Sequence, residues 1–471
     1  MRRKRYPSIA TGQFNRRDWL ASAGAGFGGL ALAAILADRG KAGDGPTPKQ
    51  SDPRSTHFAP KVKHVIHVFL EGGPSHVDLF DPKPELSRND GKPIPVPGEN
   101  RKAPAFGSPF HFARRGQSGL EISDALPLLG DLADDLCVIR SMHSDEAAHE
   151  TAMLLMNCGN ARLARPSVGS WITYGLGRED QNLPEFVVLY DGKPPVKGVE
   201  NWQAAFLPAT CQATAVDTQH RDVSRLLENI HSPFAAAAEQ RLQLDLLNDL
   251  NRRHAAQRTD DPRLEARIKS FELAYRMQTE ATDAFDVARE PVRVRELYGD
   301  TPVGRQCLMA RRLIERGVRF VQVYNPGWDH HDTLADNLRE QAKGLDRALA
   351  GLLTDLKRRD LLAETLVVIG GEFGRTPVAD GIFISKKLGR GHNNRGFTTI
   401  LAGGGVKGGY AHGKTDEFGF QAVEGKVHVH DLHATMLQLL GLDHERLTYR
   451  YAGRDFRLTD VHGNIVKEIL A

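Results

Sequence analysis

Short apolar runs alternate with amphipathic stretches along residues 61–471. Apolar runs rich in β-branched residues predict buried strands at 62–70, 136–140, 186–190, 319–324, 366–369 and 398–401. Apolar residues at helical spacing predict helices at 124–132, 147–157, 334–358 and 433–440, and Gly441 is placed to end the last one. Strands that alternate with helices indicate an α/β fold, with a mostly parallel sheet flanked by helices.

Three regions interrupt this alternation. Residues from about 222 to 300 are strongly helical in pattern and predict a helical insert, with long amphipathic stretches at 234–258 and 263–285. Residues 82–109 contain seven prolines and predict a long surface loop. The glycine-rich tract 403–409 has no lysine-serine ending and precedes no helix, so it predicts a hairpin and not a phosphate-binding loop.

The charge of the chain is unevenly distributed. There are 62 Lys and Arg residues against 59 Asp and Glu residues, a formal net charge of +3. Residues 1–40 contain seven basic and two acidic residues, which leaves 55 basic and 57 acidic residues in the remainder. Such a nearly neutral body argues against nucleic acid as the main partner. Four cysteines without CxxC spacing are too few for a disulfide scaffold, although one or two disulfides or buried thiols stay open.

Residues 1–40 predict an export signal. Arg16 and Arg17, followed by Trp19 and Leu20, resemble a twin-arginine signal and precede a glycine-rich apolar run over 21–37. That run is shorter and less apolar than a membrane span, which favours a cleavable signal, with an uncleaved anchor as the alternative. We expect a linker at 41–60 and a periplasmic or cell-envelope location, with membrane contact only through an uncleaved leader.

Polar, metal-competent side chains follow several predicted strands. In a parallel sheet the chemistry lies just past the carboxyl ends of the strands, which here are the segments that begin at residues 71, 141, 325, 370 and 402. The first segment contains Glu71, His76 and Asp78 around a glycine turn. The second contains His149 and Ser144, and this serine is either a helix N-cap or a nucleophile held over a helix N-terminus.

The third segment, 327–332, carries the strongest signal. Four consecutive metal-capable side chains, from Asp329 to Asp332, are hard to explain by packing, although a charged loop is the alternative. Imidazole combined with carboxylate suits zinc, manganese or iron, whereas calcium favours oxygen ligands alone. His392, between glycines shortly before a strand, could complete a ligand set with Asp329 and His331. These residues predict a divalent metal ion, zinc, manganese or similar.

The segment after strand 366–369 contains Glu372 and Arg375. Glu372 could bind a metal and Arg375 could grip an oxyanion with two hydrogen bonds, or the two side chains could form an ion pair that braces the loop. His428, His430 and His433 near the C-terminal helix favour a structural role. The chain lacks the G-x-S-x-G elbow of Ser-His-Asp hydrolases and any nucleotide-binding glycine fingerprint after a strand.

The motifs, taken in order, resemble a known family. They are EGGPSHVDLFDPKPE, IRSMHSDEAAHE, GWDHHDTL, GGEFGRTP, GRGHNN, LAGGGVKGGYAHGKTDEFG and VHDLHATMLQLLGL. Together with the leader they resemble the exported bacterial family of unknown function 1501, which is grouped with the alkaline phosphatases and sulfatases. The resemblance implies a central sheet of the alkaline-phosphatase type, with metals and a serine, threonine or cysteine nucleophile at the strand ends.

The resemblance also implies roles for individual residues. Asp329 and His331 fall where the superfamily places an Asp/His metal pair after a strand, and His392 falls where a later histidine completes that site. Ser144, ahead of His149 and a helix, lies roughly where the nucleophile is expected.

Two positions depart from the superfamily pattern. Glu372 occupies the slot where phosphatases carry an Asp-His pair, and no D-H-G follows strand 366–369. Glu71 or Asp78 would supply the acid after the first strand, where glutamate replaces the usual aspartate. No C-x-P-x-R surrounds a cysteine, so the formylglycine of ordinary sulfatases cannot form. These departures predict a one-metal or non-catalytic site as the alternative to a two-metal site.

The leading hypothesis from the sequence is an exported metal-dependent hydrolase of phosphate or sulfate esters, with a small-molecule or polysaccharide substrate. Ser144 would attack in line, with His149 as a further catalytic residue, and Arg375 would stabilise charge on the equatorial oxygens. The alternative is a non-catalytic envelope binding protein that keeps the fold. A helical insert that recruits a partner is compatible with either hypothesis.

Overall fold

The computed structural model describes residues 55–177, 183–226, 282–380 and 387–471, together with scattered positions of 239–251. The predicted leader, the linker up to residue 54 and most of the predicted helical insert lie outside the described residues. Within the described part of the chain, no helix is both long enough and apolar enough to cross a membrane.

Nine strands form the central sheet. They are β1 His64–Leu70, β2 Leu136–His143, β3 Phe186–Tyr190, β4 Thr214–Asp217, β5 Phe320–Asn325, β6 Thr365–Gly370, β7 Phe397–Gly403, β8 Tyr410–His412 and β9 Val427–His428. Their order is β8-β2-β7-β6-β1-β5-β3-β4, and β9 also pairs with β2. In this sheet β7 alone runs antiparallel to its neighbours, so the predicted α/β fold is confirmed.

The centre of the sheet is covered on both faces, which explains the continuous apolar runs in the sequence. Every residue of β1 and of β6 is buried. β1 lies between β6 and β5, with His64 opposite Thr365 and Val65 opposite Phe320. Parallel strands that are buried on both faces lose the apolar-polar alternation of a half-exposed strand.

Helices cover both faces of the sheet. The longer ones are α1 His149–Cys158, α2 Val168–Leu176, α3 Val292–Tyr298, α4 Pro302–Ile314, α5 Leu334–Arg358 and α6 Val429–Leu439. Helices α4 and α5 pack on one face, and α1, α2 and α6 pack on the other. The helix predicted at 124–132 is wrong in extent, because only Pro127–Gly130 is helical there. Helix α6 begins earlier than predicted because His428 and Asp431 form a capping box.

Short elements complete the described fold. The short helices are His76–Leu79, Pro84–Arg88, Val223–Leu226 and Thr282–Phe285, and single 3-10 turns lie at Ala133–Asp135, Gly198–Trp202, Ala209–Cys211, Val287–Arg289, Leu362–Glu364 and Lys467–Ile469. Two-stranded ribbons are Pro93–Pro95 with Lys102–Pro104, Phe112–Arg115 with Leu120–Ser123, Gly374–Ala379 with Arg390–Asn393, Lys414–Thr415 with Ala422–Glu424, and Tyr449–Tyr451 with Arg454–Phe456.

Three expectations about loops need correction. The region 82–109 is more than a surface loop, because Ile94 and Ala103 are buried in a small apolar cluster with Val378. The tract 403–409 is not a hairpin, because it joins β7 to β8 and these strands lie on opposite sides of β2. The segment that begins at residue 402 points away from the functional edge of the sheet, because β7 is antiparallel. All four cysteines are buried and none forms a disulfide.

The described end of the predicted insert is tied to the sheet domain by ion pairs. The guanidinium of Arg312 donates to the carbonyl of Ala284 at 3.1 Å and pairs with the Glu290 carboxylate. Arg311, fully buried in α4, contacts the same Glu290 carboxylate at 2.8 Å. A buried charge is tolerated when opposite charges surround it, so this network fixes residues 284–290 against α4.

Candidate metal centre

The carboxyl ends of β1, β2, β5 and β6 meet at one edge of the sheet, because these strands run in the same direction. The loops that follow these strands carry Glu71, His149, Asp329 and Glu372 to that edge. His392 reaches the edge by another route, because it precedes β7 and the amino end of an antiparallel strand lies there. The expectation that functional residues follow the carboxyl ends of parallel strands therefore locates four of these loops and misses the one that carries His392.

Two glycines let the site loops approach each other closely. A Cβ on Gly72, which has φ +116°, would lie 2.5 Å from the backbone nitrogen of Asp329. A Cβ on Gly389 would lie 2.0 Å from the carbonyl carbon of His331. Any side chain at either position would push the 329–331 loop away, so these glycines set the distance between β1, the ribbon and the candidate ligands.

Four side chains converge at this edge, and we call them the strand-end cluster: His149, Asp329, His331 and His392. One ligand atom each from His149, Asp329 and His392 lie within 4.8 Å of one another. The Asp329 carboxylate is 3.3 Å from Nε2 of His149 and 3.3 Å from Nε2 of His392. Nε2 of His331 lies 2.9 Å from Asp329 Oδ1 and 3.0 Å from His392 Nε2.

Each imidazole of the strand-end cluster presents Nδ1 to a hydrogen-bond acceptor outside the cluster. The pairs are His149 with Glu372 Oε1 at 2.7 Å, His331 with Asp380 Oδ2 at 2.7 Å, and His392 with the Ala147 carbonyl at 2.9 Å. Carboxylates and carbonyls only accept, so Nδ1 must carry a hydrogen in all three rings. Nε2 of each ring is then the candidate ligand nitrogen, and it faces Asp329. Metal-binding histidines are usually oriented in this way, with the other ring nitrogen donating to an acceptor.

The charges of the site favour a cation. Burial alone would lower the pKa of His149, but hydrogen bonds to Asp329 and Glu372 raise it to about 9. Burial would raise the pKa of Asp329, yet hydrogen bonds from His149, His392 and Arg375 hold it well below its usual range. A metal ion and the Nε2 proton of His149 compete for the same lone pair, so a divalent cation can take the place of that proton.

The donor set fits a divalent transition-metal ion. Nε2 of His149 is buried and faces the Asp329 carboxylate at 3.3 Å. Two ligand atoms on a tetrahedral zinc ion, each about 2.0–2.1 Å from the metal, lie roughly 3.3 Å apart. The 2.9–3.3 Å separations between Asp329 and the three imidazoles match that spacing. Imidazole and carboxylate ligands suit zinc, manganese or iron.

Arg375 faces the protein interior and not an open cleft. Its side chain is fully buried. Nε donates to the Gly73 carbonyl at 2.9 Å, one terminal nitrogen donates to the Arg390 carbonyl at 3.1 Å, and the other donates to the Gly72 carbonyl and Asp329 Oδ1. The predicted Glu372–Arg375 brace is replaced by this pairing with Asp329. Because every nitrogen of the guanidinium already has an acceptor, Arg375 positions Asp329 and the glycine turn.

Two predicted ligands do not join the strand-end cluster. Asp78 is fully buried in a two-bond ion pair with Arg390, at 2.7 and 3.0 Å, and accepts the Ser75 hydroxyl at 2.5 Å. Burial would raise the pKa of Asp78, but the Arg390 charge lowers it. Nε2 of His76 lies 2.9 Å from the Gly419 carbonyl. The helix His76–Leu79 turns the Asp78 carboxylate and Nε2 of His76 toward these structural partners, while Nδ1 of His76 is buried without a hydrogen-bond partner among the described residues.

Glu71 lies beside the cluster and is bound to a neighbouring loop. Its Oε1 accepts a hydrogen bond from the Val196 backbone nitrogen at 2.8 Å. Burial and the nearby Glu372 carboxylate raise the pKa of Glu71. Glu372 itself is fully buried. Its carboxylate accepts a hydrogen bond from the Gly72 backbone nitrogen at 3.0 Å and also contacts Nδ1 of His149. Both glutamates therefore support the cluster through hydrogen bonds to the loops around it.

Ser144 is not the N-cap of α1, because that position is Ala148. The Ser144 hydroxyl donates to the Glu146 carbonyl at 3.2 Å. Its backbone exchanges two hydrogen bonds with Asn394, at 2.8 and 2.7 Å. These bonds hold the loop between β2 and α1 against the loop that follows His392, so Ser144 lies next to the site without a described contact to its ligands.

Sequence reasoning missed the roles of several residues. His149 was predicted as a catalytic residue, and the structure brings it among the candidate ligands. Asp380 has no motif around it and reaches His331 only because the ribbon folds back. The ring of Phe373 packs 4.9 Å from His149 and 4.5 Å from His392, between centroids. The sequence shows an apolar residue, Phe373, directly after Glu372, where a D-H-G motif would have histidine. The packing of this ring against His149 and His392 could not be predicted from the sequence.

Residues 62–470 match the family described as protein of unknown function (DUF1501). The chain belongs to this family. The family resemblance of the motifs is thereby confirmed. Among curated protein sequences, none matches the DUF1501 chain.

Several solved structures resemble the DUF1501 chain in overall arrangement. The lipoteichoic acid synthase LtaP from Listeria monocytogenes is 9% identical with a TM-score of 0.38, over 93% of this chain and 81% of LtaP. Alkaline phosphatase from the Antarctic bacterium TAB5 is 12% identical with a TM-score of 0.34, over 82% and 99%. The PsFucS1 sulfatase from Pseudoalteromonas sp. is 11% identical with a TM-score of 0.38, over 94% and 76%. At these values the chemistry of the DUF1501 chain must be argued from its own residues.

Proposed function

We propose that this chain is a metal-dependent hydrolase of phosphate or sulfate esters on small molecules or polysaccharides. The observation that carries the proposal is the orientation of the three imidazoles in the strand-end cluster. Each Nδ1 is held by an acceptor, and each Nε2 faces the same carboxylate, that of Asp329. A carboxylate and imidazoles that turn Nε2 toward it, with ligand atoms of His149, Asp329 and His392 within 4.8 Å of one another, are a divalent-metal donor set.

A bound divalent ion would polarise the ester oxygen and favour deprotonation of the attacking hydroxyl. The residues of the chain hold the reacting groups in place. Glu372 and Asp380 orient two of the imidazoles, and Arg375 fixes the Asp329 carboxylate. Ser144 is the proposed nucleophile, since its loop is bound to Asn394 beside the cluster, and its hydroxyl would exchange the Glu146 carbonyl for the substrate.

The first test measures metal content and ester hydrolysis together. We expect the purified protein to hold stoichiometric zinc or manganese by mass spectrometry and to hydrolyse p-nitrophenyl phosphate or p-nitrophenyl sulfate. The variant His331→Ala should lose both properties, whereas His111→Ala, at an exposed histidine far from the cluster in sequence, should keep both. Protein without stoichiometric metal, or full activity in His331→Ala, would contradict the proposal.

The second test concerns the nucleophile. Ser144→Ala should abolish hydrolysis and leave the bound metal unchanged, because its hydroxyl is not among the candidate ligands. Ser87→Ala removes an exposed hydroxyl from the short helix Pro84–Arg88 and serves as the matched control. Full activity in Ser144→Ala would show that water is the nucleophile and that Ser144 takes no part in the mechanism.

Export by the twin-arginine route is part of the proposal, because it accounts for the basic leader and delivers proteins already folded. The double variant Arg16→Lys/Arg17→Lys should leave the protein in the cytoplasm. Cell fractionation measures this directly, and unchanged recovery of the variant in the periplasm or envelope would exclude the route.

A second candidate function is a binding protein without turnover, and Phe373 favours it. The aromatic ring packs against His149 and His392 at the position after Glu372, where a second metal ligand would otherwise stand. A site limited to one ion could bind an oxyanion without cleaving it. Metal-loaded protein that binds inorganic phosphate or sulfate but turns over none of a broad ester panel would support this function against the first.

A further inference from the structure

A small pocket lies at the C-terminal end of α1. It is lined by the loop that follows α1, by Phe206 and by the segment around Leu458. Gly159 ends α1 with φ +64°, and a Cβ at this position would lie 2.2 Å from the Leu458 carbonyl oxygen. This close approach brings the loop against the C-terminal segment and forms one wall of the pocket. Because α1 has ten residues and begins at His149, about 15 Å of helix separates the pocket from the strand-end cluster.

Arg165 lines the pocket and is stacked on an aromatic ring. Its guanidinium carbon lies 4.2 Å from the ring centroid of Phe456 and 5.9 Å from that of Phe206. The side chain is partly buried, and this burial lowers the pKa of Arg165. A guanidinium stacked on a ring face keeps the N–H groups at its edge available, and these can bind a planar anion with two hydrogen bonds.

The neighbouring arginines differ from Arg165, because they are paired with carboxylates. Arg457 lies 3.1 Å from Glu445, and Arg454 contacts Asp460. Arg165 makes no hydrogen bond or ion pair with any residue in the part of the chain that the structure describes. A partly desolvated cation attracts an anion more strongly than an exposed one does, so the donors of Arg165 are suited to an anionic ligand.

The other lining residues indicate what accompanies the anion. Trp171, which is fully buried, and Phe206, which is partly buried, give the pocket aromatic walls. Asn160 and Asp460 add an amide and a carboxylate, and both groups bind hydroxyls. A uronic acid combines an apolar C–H face, several hydroxyls and a planar carboxylate for Arg165. An inorganic anion would leave the aromatic walls without a contact, and an aromatic acid would leave the amide and carboxylate without one.

We propose that this pocket binds one uronic acid unit of an acidic polysaccharide, with the sugar carboxylate on Arg165 and an apolar face of the ring against Phe206. The inference goes beyond the proposed hydrolase function and does not depend on it, because none of the candidate metal ligands lines the pocket. Binding should therefore persist in metal-free protein. Arg162 offers a matched control, since its side chain is 82% exposed and does not line the pocket.

The test measures by calorimetry how three probes bind the metal-free full chain: hexagalacturonate, its fully methyl-esterified form and hexaglutamate. We expect hexagalacturonate to bind at least about tenfold tighter than the ester or the peptide, the contribution of one charged hydrogen bond. Arg165→Gln should remove the difference between acid and ester, whereas Arg162→Gln should keep it. Phe206→Leu should weaken acid and ester by the same factor, because the contact with the sugar ring does not depend on charge.

The contrary outcomes are distinct. If hexagalacturonate does not bind, or if Arg165→Gln binds it as tightly as the wild type, the assignment of the pocket is wrong. Equal affinity for hexaglutamate would show that the pocket selects charge and not a sugar. Binding that requires added zinc would place the probe at the strand-end cluster and overturn the inference. A protein that hydrolyses no ester but binds hexagalacturonate through Arg165 would refute the hydrolase proposal and support this one.

Discussion

Two groups of histidines lie at the same edge of the sheet and differ in what their nitrogen atoms do. One is the strand-end cluster. The other, the helix-cap cluster, surrounds the start of α6 and comprises His143, His428, His430, His433 and His462. Neighbouring rings of the helix-cap cluster are 5.0–6.1 Å apart, much as the rings of His331 and His392 are 4.8 Å apart. Proximity alone therefore does not distinguish the two groups.

The hydrogen bonds distinguish them. In the helix-cap cluster, Nδ1 of His428 accepts the His430 backbone nitrogen at 3.2 Å, so Nε2 carries the hydrogen and faces Asp145 at 3.2 Å. Nε2 of His433 faces the Met156 carbonyl at 2.7 Å. In the strand-end cluster the acceptors hold Nδ1 and leave Nε2 to face one carboxylate. A metal site is thus indicated by what holds the far nitrogen of each ring, and not by a count of histidines.

The largest contrast is expected in metal affinity. His392→Gln removes one candidate ligand of the strand-end cluster and should weaken zinc binding by more than about 100-fold, since even outer-shell changes cost 10–100-fold. Stability should change by less than about 1 kcal/mol, because the His392 side chain is partly exposed. His430→Gln in the helix-cap cluster should leave the zinc affinity unchanged. Competition with a fluorescent chelator measures the zinc affinity of both variants. Equal losses of affinity would show that the two clusters do not differ in metal binding.

A smaller loss of zinc affinity is expected when the hydrogen-bond acceptor of a candidate ligand's Nδ1–H is weakened. Asp380 accepts Nδ1–H of His331 at 2.7 Å, so Asp380→Asn should weaken zinc binding by about 10–100-fold while the ligands stay in place. The counterpart in the other cluster is Asp145, which faces His428 and is exposed. Asp145→Asn should have no effect in the same chelator assay. An Asp380 variant with wild-type affinity would show that Nδ1 anchoring does not matter here.

The cap of α6 should affect stability and not metal binding. His428 accepts a backbone nitrogen of the first turn, and Asp431 completes the capping box. His428→Ala should lower the free energy of unfolding by about 1 kcal/mol, the usual contribution of an N-cap. His428→Asn should restore most of it, because asparagine is a good N-cap. Urea denaturation measures both variants, and a loss of bound zinc in His428→Ala would instead place His428 at a metal site.

Acid should destabilise the protein through the helix-cap cluster. Burial lowers the pKa of His433 to about 4, and burial together with neighbouring histidines lowers that of His430 to about 3. Each ring has a pKa near 6.5 when unfolded, so the unfolded state binds more protons between these values and stability falls as the pH drops below 6.5. For His433 we expect a loss of about 1 kcal/mol between pH 6.5 and 5.5.

This pH effect is measured on metal-free protein by urea denaturation, so that metal release does not contribute. His433→Gln should flatten the dependence of stability on pH over that interval. His111→Gln, at an exposed histidine, should leave the slope as in the wild type. An unchanged slope in His433→Gln would show that this ring does not take up a proton on unfolding.

Much of the fold could be predicted because it depends on neighbours along the chain. The predicted helix at 334–358 matches α5, and the strand at 186–190 matches β3. Hydrophobic periodicity and apolar runs indicate which segments are buried, and both can be recognised within a single segment of the chain. The loops that carry Asp329, His331 and His392 were also found, because aspartate and histidine close to predicted strands are conspicuous in a sequence.

Pairings between distant segments could not be predicted. Asp78 resembles a ligand in the sequence, yet its partner Arg390 is 312 positions away. Nothing near Asp380 indicates that it supports His331. The antiparallel direction of β7, which brings His392 to the functional edge, depends on how β7 pairs with β6 and β2. Strand pairing is a long-range contact, and no local pattern encodes it.

The sequence by itself determined the class of fold and the residue types available to a metal. Local periodicity and composition suffice for these, because hydrophobic burial acts on contiguous segments. Only the tertiary structure decided which histidines turn Nε2 toward one shared carboxylate and which are used as a cap or in the core. That distinction depends on the acceptor facing the other ring nitrogen, and the acceptors, Glu372, Asp380 and the Ala147 carbonyl, come from separate parts of the chain.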